Sequence, residues 1–180
     1  GTWSDTNAFA TYIDGGIAFN NTGTYNKQGN TVTTLGGAFN NSATGTVNVN
    51  AGTLSLTGGG TSTGSFAMAS GGTLDFGGGT HTLNSIAASG AGTLRVSGGT
   101  VNLSGGTSTS NFLLSGGTFA VNGNFSTGSF SQSGGTLGGT GTVTATAGGS
   151  TWTAGAQSGT GTTQFNGNLN ISGDNNKFIG

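Results

Sequence analysis

The residues of this sequence that could do chemistry are few and widely spaced. Four Asp and three basic side chains carry all of its charge, and it contains one His, no Glu and no Cys. Glycoside hydrolysis needs two carboxyl groups at a fixed separation, and a zinc site needs three or four ligands in one place. His81 has no second His or Cys to act with it. We therefore predict that the chain is not an enzyme and has no catalytic, metal-binding or cofactor-binding residues.

Asp75 and Arg95 are the one pair of opposite charges whose spacing predicts contact. They occupy the same position in two similar pentapeptides, GTLDF (72–76) and GTLRV (92–96). If these segments stack, the two side chains lie one strand spacing apart on an outer surface. An exposed ion pair contributes roughly 0–1 kcal/mol, so we expect Arg95→Ala to have little effect.

Composition excludes several partners. Charged residues make up 4% of the chain, and there is no cluster of Lys and Arg to bind the phosphates of a nucleic acid. No apolar run approaches the ~18 residues of a membrane helix, so we expect no membrane insertion. The 41 Gly residues dilute the few good helix formers, which argues against helices.

The pentapeptide GTLSL (52–56) precedes the other two by the same twenty-residue step. Each alternates apolar and polar residues, which is typical of a strand with one buried side. A short period of this kind indicates a chain that winds round an axis and stacks on itself. We predict an all-β fold, a right-handed parallel β-solenoid (β-helix) of triangular section with about seven coils of roughly 18–27 residues. Residues 1–180 form one domain, with an irregular segment at 1–16 and coils at 17–180.

A longer repeat of about 45 residues suggests how the coils align. It matches GTL (72–74) with GTF (117–119), and SI (85–86) with SF (129–130). This register puts GTLSL on a different face from the other two pentapeptides, whereas the plain twenty-residue step would align all three. We adopt the longer repeat, which predicts three core columns. Two of them contain the following residues: Leu74, Leu94 and Phe119 in one, and Phe66, Ile86, Phe112 and Phe130 in another.

The same register predicts a surface ladder of Thr53, Thr80, Thr100 and Thr142 on one face. Thr suits any solvated strand, but a flat array of Thr could also bind ice or a glycan. Exposed aromatic rings are a second means of binding sugars, and here we expect Tyr25 at the surface and Trp152 in the core. Neither end of the predicted stack carries a recognisable cap. We therefore expect neighbouring copies or adjoining repeats to meet it end to end.

The segment GTVNVNAGTLSL (45–56) and the later phrases AGTL (91–94) and GTVNL (99–103) resemble the repeat regions of giant bacterial surface proteins. These are filamentous-haemagglutinin-type adhesins and autotransporter passengers. The resemblance implies an extracellular location on a bacterial cell and a structural role as a stalk, rod or filament. The alternative is a binding module that holds glycans or a cell surface. A third hypothesis is an enzyme of the polysaccharide-lyase type.

Overall fold

The computed structural model describes all of residues 1–180 and contains strands but no helix. The chain winds through nine coils, each of which places strands on three faces. Coils 1–3 contain β1 (Thr2–Asp5), β2 (Thr11–Ile13), β3 (Phe19–Asn21), β4 (Thr24–Lys27), β5 (Val32–Leu35), β6 (Phe39–Asn41), β7 (Thr46–Val49), β8 (Gly52–Leu56) and β9 (Gly60–Ser62). Coils 4–6 contain β10 (Ser65–Met68), β11 (Gly72–Phe76), β12 (Thr80–Leu83), β13 (Ile86–Ser89), β14 (Thr93–Val96), β15 (Thr100–Leu103), β16 (Gly106–Ser108), β17 (Asn111–Leu114) and β18 (Thr118–Val121). Coils 7–9 contain β19 (Asn124–Thr127), β20 (Phe130–Gly138), β21 (Thr142–Ala145), β22 (Ser150–Gln157), β23 (Thr162–Phe165), β24 (Leu169–Ile171) and β25 (Lys177–Ile179).

Three stacked faces enclose one narrow lumen. The first face begins with β1, β4 and β7 and ends with β23, the second begins with β2 and β5, and the third begins with β3 and β6. The long strands β20 and β22 cross a corner and pair on both the second and the third face. All strand pairs are parallel. The predicted all-β parallel β-solenoid is confirmed.

The coils are shorter and more numerous than predicted. Paired residues on the first face lie 18 to 22 positions apart, as Phe125 with Val143 and Trp3 with Tyr25 show. There are therefore nine coils instead of seven, and the stack is about 40 Å long at the ~4.8 Å spacing of neighbouring strands. Residues 1–16 are not irregular as expected, because β1 and β2 lie within them and pair with β4 and β5.

The predicted inward phase, meaning the choice of which alternate side chains point into the lumen, is confirmed. All seven of the core residues named above are buried. Their assignment to columns is wrong in part. Leu74, Leu94, Phe112 and Phe130 form one continuous column on the second face. Phe119 belongs instead to the third face, between Val101 and Leu137. On the first face, Phe66 pairs with Ala88 and Ile86 pairs with Gly106. The three pentapeptides do align at the plain twenty-residue step.

Glycines set the corner between the second and third faces. Gly79, Gly99, Gly117 and Gly135 each have φ of 62–64°. The first three each precede a strand of the third face, and Gly135 precedes the part of β20 that pairs on that face. A side chain is strained at such a φ. At Gly99 there is also no space for one, because a Cβ atom would lie 2.2 Å from the carbonyl oxygen of Gly79 in the coil before. This corner therefore needs Gly both for its backbone conformation and for the close stacking of coils.

Candidate functional site

The predicted Thr ladder does not lie on one face. Thr80 and Thr100 are paired on the third face, but Thr53 lies on the second face and Thr142 on the first. The prediction is wrong because it followed the 45-residue repeat, which joins segments from different faces. The third face instead carries a row of four Thr at equivalent positions: Thr80, Thr100, Thr118 and Thr136.

Asp75 and Arg95 form the predicted ion pair, but its surroundings differ from the prediction. Arg95 donates from Nε and Nη2 to the two carboxylate oxygens at 2.9 and 3.0 Å. Ser55 and Ser97 donate to Oδ2 at 3.3 and 3.0 Å. Although Asp75 points outward between Leu74 and Phe76, it is only 4% exposed. The hydrogen bonds that Arg95 donates to Asp75 raise the pKa of Arg95 above its ordinary value. The Asp75 carboxylate is bonded to side chains of the coils before and after it and so holds neighbouring coils together. The prediction of an exposed ion pair is therefore wrong.

His81 lies in the lumen of coil 4. It is 1% exposed, its Nε2 is 3.0 Å from the carbonyl oxygen of Gly78, and its ring centroid is 4.8 Å from that of Phe76. Burial lowers the pKa of His81, and the nearby carbonyls of Gly78 and Leu56 offset this only in part. The structure contains no group of three or more His, Cys, Asp or Glu side chains that could hold a metal ion.

A cluster that sequence reasoning missed lies between coils 1 and 2. Asp5 and Lys27 point into the lumen from directly paired positions, and Tyr25 lies beside them. Tyr25 and Lys27 are fully buried and Asp5 is 4% exposed, so the expectation of a surface Tyr25 is wrong. The signal was present in the sequence, because TWSD (2–5) and TYNK (24–27) share an aromatic residue followed two positions later by a charge of opposite sign.

Asn side chains bridge successive coils near the third face. Asn40 donates to Asn20 and Asn21 donates to Asn41, both at 2.9 Å. Because Asn20 pairs with Asn40 and Asn21 with Asn41 in the β3–β6 ladder, each amide bonds its own counterpart one coil away. Such bonds favour one register over its neighbours.

The two ends of the stack differ from its middle in exposed apolar surface. Coil 1 exposes Trp3, Phe9, Tyr12, Ile13 and Ile17, and coil 9 exposes Ile171, Phe178 and Ile179. Trp152, one coil further in, is 4% exposed, as expected of a core residue. The outer strand edges of coils 1 and 9 pair with no other strand. Each end therefore presents free backbone groups around apolar side chains.

The outer faces offer one broad depression. It lies on the first face, measures about 520 Å³, and is lined by Gly106, Thr107, Asn124, Phe125, Ser126, Thr142 and Thr144. No side chain of this lining is charged, and Phe125, its one aromatic residue, is 1% exposed. The polar side-chain groups of the depression are therefore hydroxyls and one amide, and they lie beside the methyl groups of its Thr residues.

Comparison with known proteins gives no relative. No protein-family model, no curated protein and no solved structure matches the chain. The structure contains no helix that is long and apolar enough to cross a membrane.

Proposed function

We propose that this chain is a structural, non-catalytic segment of a rod or filament, part of a bacterial surface or matrix protein or of an adhesin stalk. The observation that carries the proposal is that both end coils keep the inward phase of the stack and leave their strand edges unpaired. A further coil, from an adjoining repeat or a neighbouring copy, therefore pairs with either end without rearrangement.

The columns of the two ends are chemically compatible. On the third face Ile179 ends the column that Phe19 and Phe39 begin, and on the second face Ile171 ends the column that begins with Ile13. When a coil like coil 1 stacks on coil 9, Phe19 meets Ile179 and Ile13 meets Ile171. Burial of these side chains favours the contact, and the backbone pairing extends each sheet.

The extracellular location rests on the resemblance of the repeats to adhesin and autotransporter segments. The composition fits that location, because a nearly uncharged stack of strands depends little on salt or ion binding. In this role the chain holds another part of its protein away from the cell or builds a matrix. Its partners are then copies of itself or adjoining repeats, with no nucleic acid and no membrane insertion.

Electron microscopy of the native material tests the proposal. We expect filaments or rods much longer than the roughly 40 Å of nine coils, with the strand spacing along their axis. Ile13→Lys and Ile179→Lys should shorten assemblies of the purified chain without changing its melting temperature. Val32→Lys is the matched control, because Val32 is also exposed but points outward from β5, which is paired with β2 on one side and β8 on the other. Separate nine-coil particles in both the native material and the purified chain would contradict the proposal.

The binding module is a second candidate because of the uncharged depression on the first face. Its hydroxyl and amide groups suit a neutral glycan. A glycan array tests this, and Thr144→Arg should abolish any signal that arises there. The Thr array predicted to bind ice or a glycan does not support this candidate, because its four Thr residues lie on three different faces.

A further inference from the structure

The lumen contains two charged side chains, and both lie at the junction of coils 1 and 2. Asp5 and Lys27 are paired in the ladder of β1 and β4 and are almost completely buried. The other buried charge of the molecule, Asp75, lies on the outward side of its strand. Elsewhere the lumen is filled by apolar or neutral side chains. The polar cluster therefore distinguishes this junction from the other seven.

The Asp5 carboxylate organises the junction. Its Oδ1 accepts hydrogen bonds from the backbone and side-chain nitrogens of Asn7 at 3.2 and 2.9 Å, and its Oδ2 accepts one from Tyr25 at 3.2 Å. Lys27 does not contact it directly and donates to the carbonyl of Gly29. Lys27 is nevertheless the one charged side chain that faces Asp5, and Tyr25 is the one other titratable group. The carboxylate thus balances a buried ammonium group across a coil boundary.

We infer that this cluster is an acid-sensitive latch that holds coil 1 on coil 2. Protonation of Asp5 leaves Lys27 buried without a counter-charge, which is strongly unfavourable. Coils contact only their neighbours, so a local loss of stability releases one coil while the others stay folded. Coil 1 pairs with coil 2 alone in this structure. Acid therefore frees residues 1–22 and exposes the edge of coil 2, a regulatory device that does not depend on the proposed structural role.

The titration behaviour of the cluster agrees with this direction. Burial alone would raise the pKa of Asp5, but the Thr33 hydroxyl, the hydrogen bonds from Asn7 and Tyr25 and the charge of Lys27 together lower it below its ordinary value. A carboxyl group with a lowered pKa stabilises the fold above its unfolded pKa. That stabilisation is therefore lost as the pH falls from about 4, the pKa of Asp5 in the unfolded chain, through its lower pKa in the folded chain.

The two Trp residues give each part of the molecule its own reporter. Trp3 lies in coil 1, with its ring centroid 5.6 Å from that of Phe19, and Trp152 is buried in coil 8. Release of coil 1 separates Trp3 from Phe19, so in fluorine NMR of the 5-fluorotryptophan-labelled chain between pH 6 and pH 2 we expect the Trp3 resonance alone to move to its position in the unfolded chain. Asp5→Asn should place it there at pH 6.

Two variants separate the latch from a general effect of acid. The double variant Asp5→Asn with Lys27→Met carries no lumen charge and should keep the Trp3 resonance in place at every pH. Asp14→Asn removes an exposed carboxylate of the same coil and should leave the transition unchanged. The proposal is overturned if both Trp resonances move together or if Trp3 does not respond. A transition that persists in the double variant, or a Trp3 that is already released in it at pH 6, would also overturn the proposal.

Discussion

Coils 6 and 7 and coils 1 and 2 share one backbone arrangement, but only coils 1 and 2 place charged side chains in the lumen. In coils 6 and 7 the lumen holds Phe112, Phe119, Phe125 and Phe130, whose ring centroids are 4.7–5.6 Å apart in the contacting pairs. In coils 1 and 2 the lumen holds Asp5, Tyr25 and Lys27 beside the rings of Phe19 and Phe39. The backbone hydrogen-bond ladder therefore forms whichever side chains fill the lumen. The lumen side chains instead determine the stability of the fold and its dependence on pH.

The largest expected effect comes from a charge placed in the apolar lumen. Leu94 is 2% exposed and lies between Leu74 and Phe112 in its column, while the neighbouring Arg95 points outward and binds Asp75. Leu94→Asp should lower the free energy of unfolding by several kcal/mol, because the charge of a buried carboxylate without partners is not compensated. Circular dichroism at 25 °C should then show no cooperative unfolding transition. Phe178→Asp, at a 64% exposed position, should melt as the wild type does. Equal melting of the two variants would contradict the assigned inward phase.

Truncation of an aromatic ring in the middle of the stack comes next. The ring of Phe112 contacts those of Phe119, Phe125 and Phe130. Phe112→Ala should therefore cost about 3–5 kcal/mol in denaturant unfolding, through lost burial and a cavity that neighbouring coils cannot close. Phe9→Ala, where the side chain is 83% exposed, should change the free energy of unfolding by less than about 0.5 kcal/mol. A cost for Phe112→Ala as small as the control would mean that the lumen can collapse around the lost ring.

The sequence was sufficient to predict the fold and the inward phase, because alternation within strands and a twenty-residue step are local signals. It was not sufficient to predict the faces. Gly-Gly-Thr occurs both at residues 71–73 and at 116–118, and these segments are matched by the 45-residue repeat. In the first it is Gly71 that has a positive φ, 85°, and in the second it is Gly117, 64°. Identical letters therefore form two different corners.

The interaction of side chains across coils was also only partly predictable. Asp75 and Arg95 were found because they sit twenty residues apart in similar pentapeptides. Asp5 and Lys27 are 22 positions apart, and their coils share fewer letters. Since coil length varies from 18 to 22 residues on this face, a small error in the step hides a contact. The burial of Asp75 depends on Ser55, Ser97 and Arg95 from neighbouring coils, which no single strand reveals.

Loss of Arg95 should now cost more than the sequence suggests. Arg95→Ala removes two hydrogen bonds from a carboxylate that is 4% exposed. Ser55 and Ser97 still donate to Asp75, and solvent partly screens the Arg95 side chain, which is 35% exposed. We therefore expect the free energy of unfolding in urea to fall by about 1–2 kcal/mol. Asp75→Asn together with Arg95→Ala is the matched comparison and should recover part of the loss, because no buried charge is then left. A single variant as stable as the wild type would restore the description of a weak surface pair.

The smallest effect concerns His81, a neutral polar group in the lumen, and it appears as a pH dependence. Burial lowers the pKa of His81 in the folded chain below its ordinary value of 6.5, so the unfolded chain binds the proton more readily. The free energy of unfolding should therefore be largest above pH 6.5 and should fall as the pH drops from 6.5 towards the folded pKa, by at most about 1.4 kcal/mol per pH unit. His81→Val, which copies the paired Val101 of the next coil, should remove this slope between pH 5 and 6.5. That window lies above the titration of Asp5, so it separates the two groups. An identical slope in both proteins would mean that His81 titrates as a solvated imidazole, and that the lumen of coil 4 admits water.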